Sequence, residues 1–514
     1  MKKNFSISLI IFFISLLIFL ANSWGLSIYS LDEAKNSECA REMLERGDFI
    51  VPTFNYELRT DKPPLHYYFM ILGYKIFGVN EFSARFFSAV FGALTVLITY
   101  LISARYLGTK IGLLSVLVLI SSLHTAIQFH MAVPDPYLIF FINASLFSFL
   151  YGFEERKKFF IYLFYVFTAF GVLSKGPVAV VLPSFIIFLY LIFTKNLNLK
   201  NLKYLSMPLG ISLILLISLP WYIAVYIKTN GLWLKDFILH HNLERFSKPL
   251  EGHGGIFLTT FLYVFVGLLP FSIFILQSLR LAFKDKKNRL ILFSIIFSLT
   301  YILFFAISKT KLPNYTVPAY PPLAILIGYY LSKIEFSKRL SILISLIVYT
   351  VLTVLIPVAL YTAISKEKPI SDLNYLSFYF FLWFIGGLLA IILSFKDKRF
   401  IIPSLSIPSI VLTLMFFFYI FPKIDNRNPV KHILPLMDKS QEIYYYGGFN
   451  PAFLFYIRKR IPPLEDRLIY TDKEFYILSR KKFIDRFKNV PEIRIIKVAK
   501  DLFEKHYSVL LKKD

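Results

Sequence analysis

Between residues 6 and 421 the chain returns repeatedly to apolar stretches of about 16 to 24 residues, and this recurrence limits its fold more than any other feature. A helix needs about 20 such residues to cross ~30 Å of hydrocarbon, so a chain built from them threads a bilayer instead of closing around one soluble core. Composition agrees: 56% of the 514 residues are hydrophobic and only 17% charged, too few polar side chains to cover a soluble particle of this size. The expected fold class is an all-α polytopic membrane protein. The formal charge of +25 does not indicate a nucleic-acid partner, because Lys and Arg lie in short clusters between apolar runs and form no basic domain. Cys39 is the single cysteine, which excludes an intrachain disulfide.

Topology follows from where the basic clusters fall. Residues 6–24 follow Lys2 and Lys3; a cleaved signal peptide is the competing reading, but the apolar run exceeds the ~7 to 15 residues of a signal core and no clean A-x-A site follows. A retained helix places the N-terminus in the cytoplasm and the next loop, 25–83, outside. Residues 65–77 are apolar over only about 13 residues, short of a span, and are expected to lie at the interface. With that segment not crossing, Arg105 and Lys110, Arg156 to Lys158, Lys195 to Lys203, Arg280 to Arg289, Lys333 to Arg339 and Lys396 to Arg399 all fall on one side, the positive-inside pattern. Thirteen crossings result: 6–24, 84–105, 110–129, 135–152, 158–173, 177–194, 204–227, 256–279, 290–308, 316–332, 338–361, 374–394 and 400–421. Residues 1–421 then form the membrane domain. Residues 422–514 read as a small α/β domain outside the membrane, with strands at 442–447, 474–479, 494–500 and 506–513 and helical turns around 451–459 and 480–489.

The polar residues gather on the outer face. Asp32, Glu33, Asp61 and Lys62 lie in the first loop, Asp135 at the outer start of a span, Lys175 in the SKGP turn, His240 and Arg245 in the 228–255 loop, and Lys309, Lys311 and Tyr315 in SKTKLPNY. Each has an ordinary alternative. Asp32 and Glu33 open a helical pattern over Asp32 to Arg46 and suit a capped, acidic first turn. Asp61-Lys62-Pro63-Pro64 suits an interfacial turn with a snorkelling lysine. Asp135, an acid between prolines beside an apolar span, is costly unless paired or wet, which favours function. The loop LHHNLERFSKPLEGHGG has three histidines but no spacing for a closed zinc site, leaving one histidine with Asp61 and water as a possible labile divalent-ion site. The Arg245 guanidinium suits a phosphate oxyanion, and Lys62 adds a point charge. Transporters carry ionisable residues near the midplane, whereas the span centres here are nearly free of them, which points to a surface-facing catalytic cavity.

The segments LDEAKNSECAREMLERGDFIVPTFNYELRTDKPPLHYY, NEFSARFFSAVFG, PDP, LSKGPV, PWY, HHNLERF and SKTKLPNYTVPAYP, in this order, resemble the polytopic GT-C glycosyltransferases of the aminoarabinose transferase and dolichyl-phosphate-mannose protein mannosyltransferase-like family. The resemblance covers the membrane region; residues 422–514 match only in position and character. It implies transfer of a sugar from a polyprenyl-phosphate donor, with Asp32 and Asp135 catalytic and Lys62 and Arg245 binding the donor phosphate. Tyr315, with Glu33 and Lys309 beside it, is assigned to sugar or acceptor contact, and His240 with Asp61 to a possible divalent metal ion. Two departures stand out. Asp61 replaces the family's usual glutamate, which weakens a metal role there, and Lys35 replaces a common arginine. The implied acceptor is lipid A or lipopolysaccharide core, the implied sugar 4-amino-4-deoxy-L-arabinose, and the implied place the periplasmic face of a bacterial inner membrane, as a monomer. A hexuronic acid or mannose, transfer to protein hydroxyls, and a lipid-linked sugar transporter are the alternatives.

Overall fold

The computed structural model describes residues 2–240, 254–471, 473–490 and 492–514. The first loop folds before the bundle closes. After helix α1 (Lys2–Phe19), α2 spans Leu31–Arg46 and stops at Gly47, whose φ of 64° supplies the left-handed end that a β-carbon would resist. A two-residue hairpin, β1 (Thr53–Phe54) with β2 (Glu57–Leu58), turns through Asn55 and Tyr56, both with positive φ. Next come α3 (Leu65–Phe77) and the long α4 (Glu81–Leu107), whose N-terminus is closed by a reciprocal Asn80–Ser83 capping box. At 13 residues α3 has the bounds and the short length expected from the sequence.

The bundle continues with α5 (Thr109–Ile120), α6 (Leu123–His130), α7 (Asp135–Glu154), α8 (Lys158–Lys175), α9 (Val178–Phe193), α10 (Leu199–Leu205), α11 (Met207–Lys228) and α12 (Leu232–Ile238). α7 is the central post, with 89% of its apolar window buried against its neighbours. Later helices run Arg289–Ile307, Tyr320–Ser332, Arg339–Lys366, Phe381–Ser394 and Ile401–Met415.

The chain is a multi-pass membrane protein, but its helices divide less evenly than the sequence suggests. Among the described residues eight helices are long and apolar enough to cross a membrane, and ten if each of two bent pairs is one span. The expected 110–129 span is α5 and α6 bent by 71°, and the expected 256–279 span is Phe257–Gly267 followed, after a 114° bend, by Phe271–Lys284. The expected 316–332 span opens as a 3-10 turn, Pro313–Ala319, before Tyr320–Ser332. The two breaks meet: the Ser122 hydroxyl donates to the Gly267 carbonyl, and Tyr320 Oη lies 2.9 Å from His124 Nδ1. Backbone groups freed by a break inside a membrane need such partners.

The C-terminal region forms a four-stranded sheet, β3 (Glu442–Tyr446), β4 (Phe475–Arg480), β5 (Ile493–Lys500) and β6 (Tyr507–Lys513), in the order β3-β4-β6-β5, with only the β3–β4 pair parallel. It is tied to the first loop. Asn55 Nδ2 donates to the Ile461 carbonyl at 2.8 Å while Ile461 N donates back to Asn55 Oδ1 at 2.9 Å, and Asp425 accepts from the Ser27 amide and hydroxyl.

Candidate active site

α7 and α8 form an antiparallel hairpin, so the first residue of α7 and the last of α8 come to the same membrane face. Lys175 Nζ lies 2.7 Å from Asp135 Oδ1, with side chains 16% and 9% exposed. Asp135 sits in the first turn of its helix, where the helix dipole favours a carboxylate, and Pro136 needs no partner for the amide it lacks. The 3-10 turn after the Arg289–Ile307 helix adds two more groups. Asn314 Nδ2 donates to the same Asp135 oxygen at 2.9 Å, and the Lys175 ammonium lies 5.1 Å from the centre of the Tyr315 ring. The acid beside an apolar span thus has a cation and an amide donor on its Oδ1.

The first loop supplies the opposite wall. Arg59, buried just after the hairpin, donates through Nη2 to Asn36 Oδ1 at 2.9 Å and through Nε to Asp61 Oδ2 at 3.3 Å. Its own carbonyl accepts from Trp233 Nε1 at 2.9 Å, and Thr60 donates to Asp236, so α12 is docked on the residues just before Lys62. Burial opposes the Arg59 charge, but Asp61 and Asp32 are among the groups that hold its pKa above the usual value. Behind this wall His66 is fully buried; burial, Arg59 and Lys62 push its pKa well below the usual value, so the ring is neutral.

Between the walls lies a cavity of about 330 Å³. Asp61, Lys62, Asp135 and Lys175 line its polar end, and Val178, Val181, Leu182 and Phe304 line an apolar side. It can hold an anionic head beside a lipid chain. The sequence-derived site residues divide accordingly. Asp61, Lys62, Asp135 and Tyr315 share this cavity. Asp32 is exposed on α2 and is linked to the cavity wall through the field of Arg59. Glu33 is turned away: both its oxygens accept from Arg85, at 2.8 and 2.9 Å, and Oε1 also accepts from Ala132 N, so it braces α2 and does not face the cavity. Lys309 is exposed and off the lining, and His240 is exposed beyond α12. Arg245 lies outside the described residues. Among the described residues no group of three or more His, Cys, Asp or Glu side chains gathers around one point, and the Asp61 carboxylate is shared with Arg59.

Arg59, Asn314 and the fixing role of Lys175 were not assigned from the sequence. An arginine two residues before the Asp61-Lys62 pair and an asparagine next to Tyr315 were the available signals, but neither reveals burial.

The family model for dolichyl-phosphate-mannose-protein mannosyltransferases matches residues 4–235. Two uncharacterised proteins of Aquifex aeolicus are 33% and 34% identical over 327 and 334 residues, which is 63% and 65% of this chain and 64% and 74% of theirs. A protein of Wigglesworthia glossinidia brevipalpis named undecaprenyl phosphate-alpha-4-amino-4-deoxy-L-arabinose arabinosyl transferase is 29% identical, covering 99% of this chain and 93% of its own. In fold, the chain is similar to the crystal structure of ArnT from Cupriavidus metallidurans bound to undecaprenyl phosphate, with a TM-score of 0.81 at 19% identity over 98% of this chain and 97% of that one. The chain therefore belongs to the polytopic GT-C family of aminoarabinose transferases and dolichyl-phosphate-mannose protein mannosyltransferases, glycosyltransferases that use polyprenyl-phosphate sugars.

Proposed function

We propose that this protein moves 4-amino-4-deoxy-L-arabinose, with inversion, from a polyprenyl-phosphate donor to lipid A or lipopolysaccharide core at the periplasmic face of the inner membrane. The observation that carries this reading is the cavity itself, in which two lysine–aspartate sets meet an apolar side suited to a lipid chain. Sugar and donor carrier agree with the name of the Wigglesworthia relative, and the carrier with the lipid in the Cupriavidus structure.

In the reaction the acceptor oxygen bonds to the anomeric carbon as the carbon–oxygen bond to phosphate breaks, and the lipid phosphate leaves with the electron pair. Lys62, with Arg245, neutralises that charge in a poorly hydrated pocket. Asp135, fixed by Lys175 and Asn314, is a preorganised acceptor for a sugar hydroxyl or ammonium. Where the acceptor is a hydroxyl, Asp32 serves as general base. A lipid A phosphate is already anionic and needs none, and Asp32 then orients the donor.

Purified protein in detergent, given labelled polyprenyl-phosphate aminoarabinose and lipid A, is expected to yield labelled lipid A. Label appearing on protein hydroxyls would move the acceptor to the mannosyltransferase-like alternative, which the match over residues 4–235 favours. Vectorial movement of the donor across vesicles without any glycosidic product would sink the enzymatic reading. Lys62→Ala and Asp135→Asn are each expected to lower kcat by about 10²-fold or more, and Asp135→Asn, which removes the charge partner of Lys175, should also lower the thermal unfolding temperature.

A further inference from the structure

The Arg289–Ile307 helix carries a cavity at each end. Phe304, Phe305 and Ser308 border the catalytic cavity at its C-terminal end, while Asn288 and Ile291 border a second cavity of about 410 Å³ at its N-terminal end. Nineteen residues separate the ends, about 28 Å at 1.5 Å per residue, so the second cavity opens on the side where the basic loops cluster.

Its lining is divided like that of an amphiphile site. Leu107, Ile111 and Ile291 form an apolar wall, and Lys284 and Lys287 stand exposed at the mouth. The cavity's acid is already committed, since Asp285 accepts from Tyr329 Oη at 2.6 Å and pairs with Lys333 at 3.4 Å. Neither Lys284 nor Lys287 is in an ion pair among the described residues, which leaves two positive charges in excess. The Tyr106 hydroxyl, on the same lining, is buried without a hydrogen-bond partner and offers a further donor. Asn288 closes the helix start by accepting from Leu290 N and Ile291 N, so the backbone donors there are partly spent and the lysines supply the attraction.

We propose that this second cavity binds the phosphate headgroup of an anionic phospholipid from the cytoplasmic leaflet, with an acyl chain running along Leu107, Ile111 and Ile291. Two lysines and a hydroxyl match a phosphodiester, and the adjoining aliphatic wall matches what lies below a headgroup and not a soluble anion. The site is separate from the transfer chemistry and does not depend on which sugar is moved.

Native mass spectrometry of the full-length protein in micelles doped equally with phosphatidylglycerol and phosphatidylcholine tests this. Retained phosphatidylglycerol adducts are expected, weakened about fivefold by each of Lys284→Ala and Lys287→Ala. Both lysines are exposed, and the variants should keep the wild-type unfolding temperature and transfer rate. Equal retention of the two lipids, or adducts unchanged in the double variant, would overturn the proposal. Displacement of the lipid by millimolar inorganic phosphate would identify a soluble-anion site and equally reject the lipid.

Discussion

Arg85 shows how one buried side chain can hold several elements at once. Its guanidinium meets both Glu33 oxygens and donates to the carbonyls of Ser23, Leu26 and Ser27, at 2.6 to 3.0 Å, so all its donors are spent. With Glu33 also accepting from Ala132 N, this pair sets α2, which carries Asp32, against the turn that leads to Asp135. Arg85→Ala strands a buried carboxylate and is expected to cost about 3 to 5 kcal/mol in detergent unfolding. The double variant with Glu33→Ala should lose less than the two single losses added together. Glu42 adds a pH dependence. Burial pushes its carboxyl from 4.5 up to about 7. The folded state therefore binds a proton that the unfolded chain has released between those values, so this group's contribution to stability falls as pH rises from about 4.5 to 7. Glu42→Gln, which can still accept from Thr53 and Tyr56, should flatten that part of the pH–stability profile measured by thermal unfolding.

The broken helices are where a length-and-hydropathy reading of the chain stops working. Residues 110–129 and 256–279 have the apolar character of spans, yet each is bent, and the breaks are sealed against each other through Ser122, His124, Gly267 and Tyr320. A β-carbon on Gly267 would fall 1.8 Å from Tyr320 Oη, so the junction closes only around a residue without a side chain. Gly267→Ala is expected to destabilise the fold by about 1 to 3 kcal/mol, and Tyr320→Phe, which removes the obstructing oxygen, should recover part of the loss in the same unfolding assay. Helices α2 and α3 were readable because each has its own signals: the acidic first turn and Gly47 for α2, and a short apolar run after Pro63-Pro64 for α3.

The active-site face is assembled by contacts between distant parts of the chain. Asn55 and Ile461 exchange two hydrogen bonds across 406 positions, and the Tyr456 hydroxyl accepts from Ile28 N and donates to Glu81. These clamp the C-terminal sheet onto the loop that holds Asp32, Arg59 and Lys62. Asn55→Ala leaves the Ile461 amide and carbonyl buried without partners, and a loss of about 1 to 3 kcal/mol is expected. Faster limited proteolysis between the membrane region and the sheet, together with reduced transfer activity, would register the loosened clamp.

By itself the sequence determined the membrane character, the helical class and the strands of the C-terminal sheet, because these depend on local hydropathy and period. It also marked Asp61, Lys62, Asp135 and Tyr315, since charged or polar residues beside apolar spans are conspicuous. Only the tertiary structure decided that Glu33 belongs to a buried brace and that Arg59, Lys175 and Asn314 fix the cavity's carboxylates. It alone showed that two expected spans are broken and sealed against each other. These outcomes depend on which partner sits across a hydrogen bond or an ion pair, and such partners come from segments tens to hundreds of residues apart, at distances that no local pattern encodes.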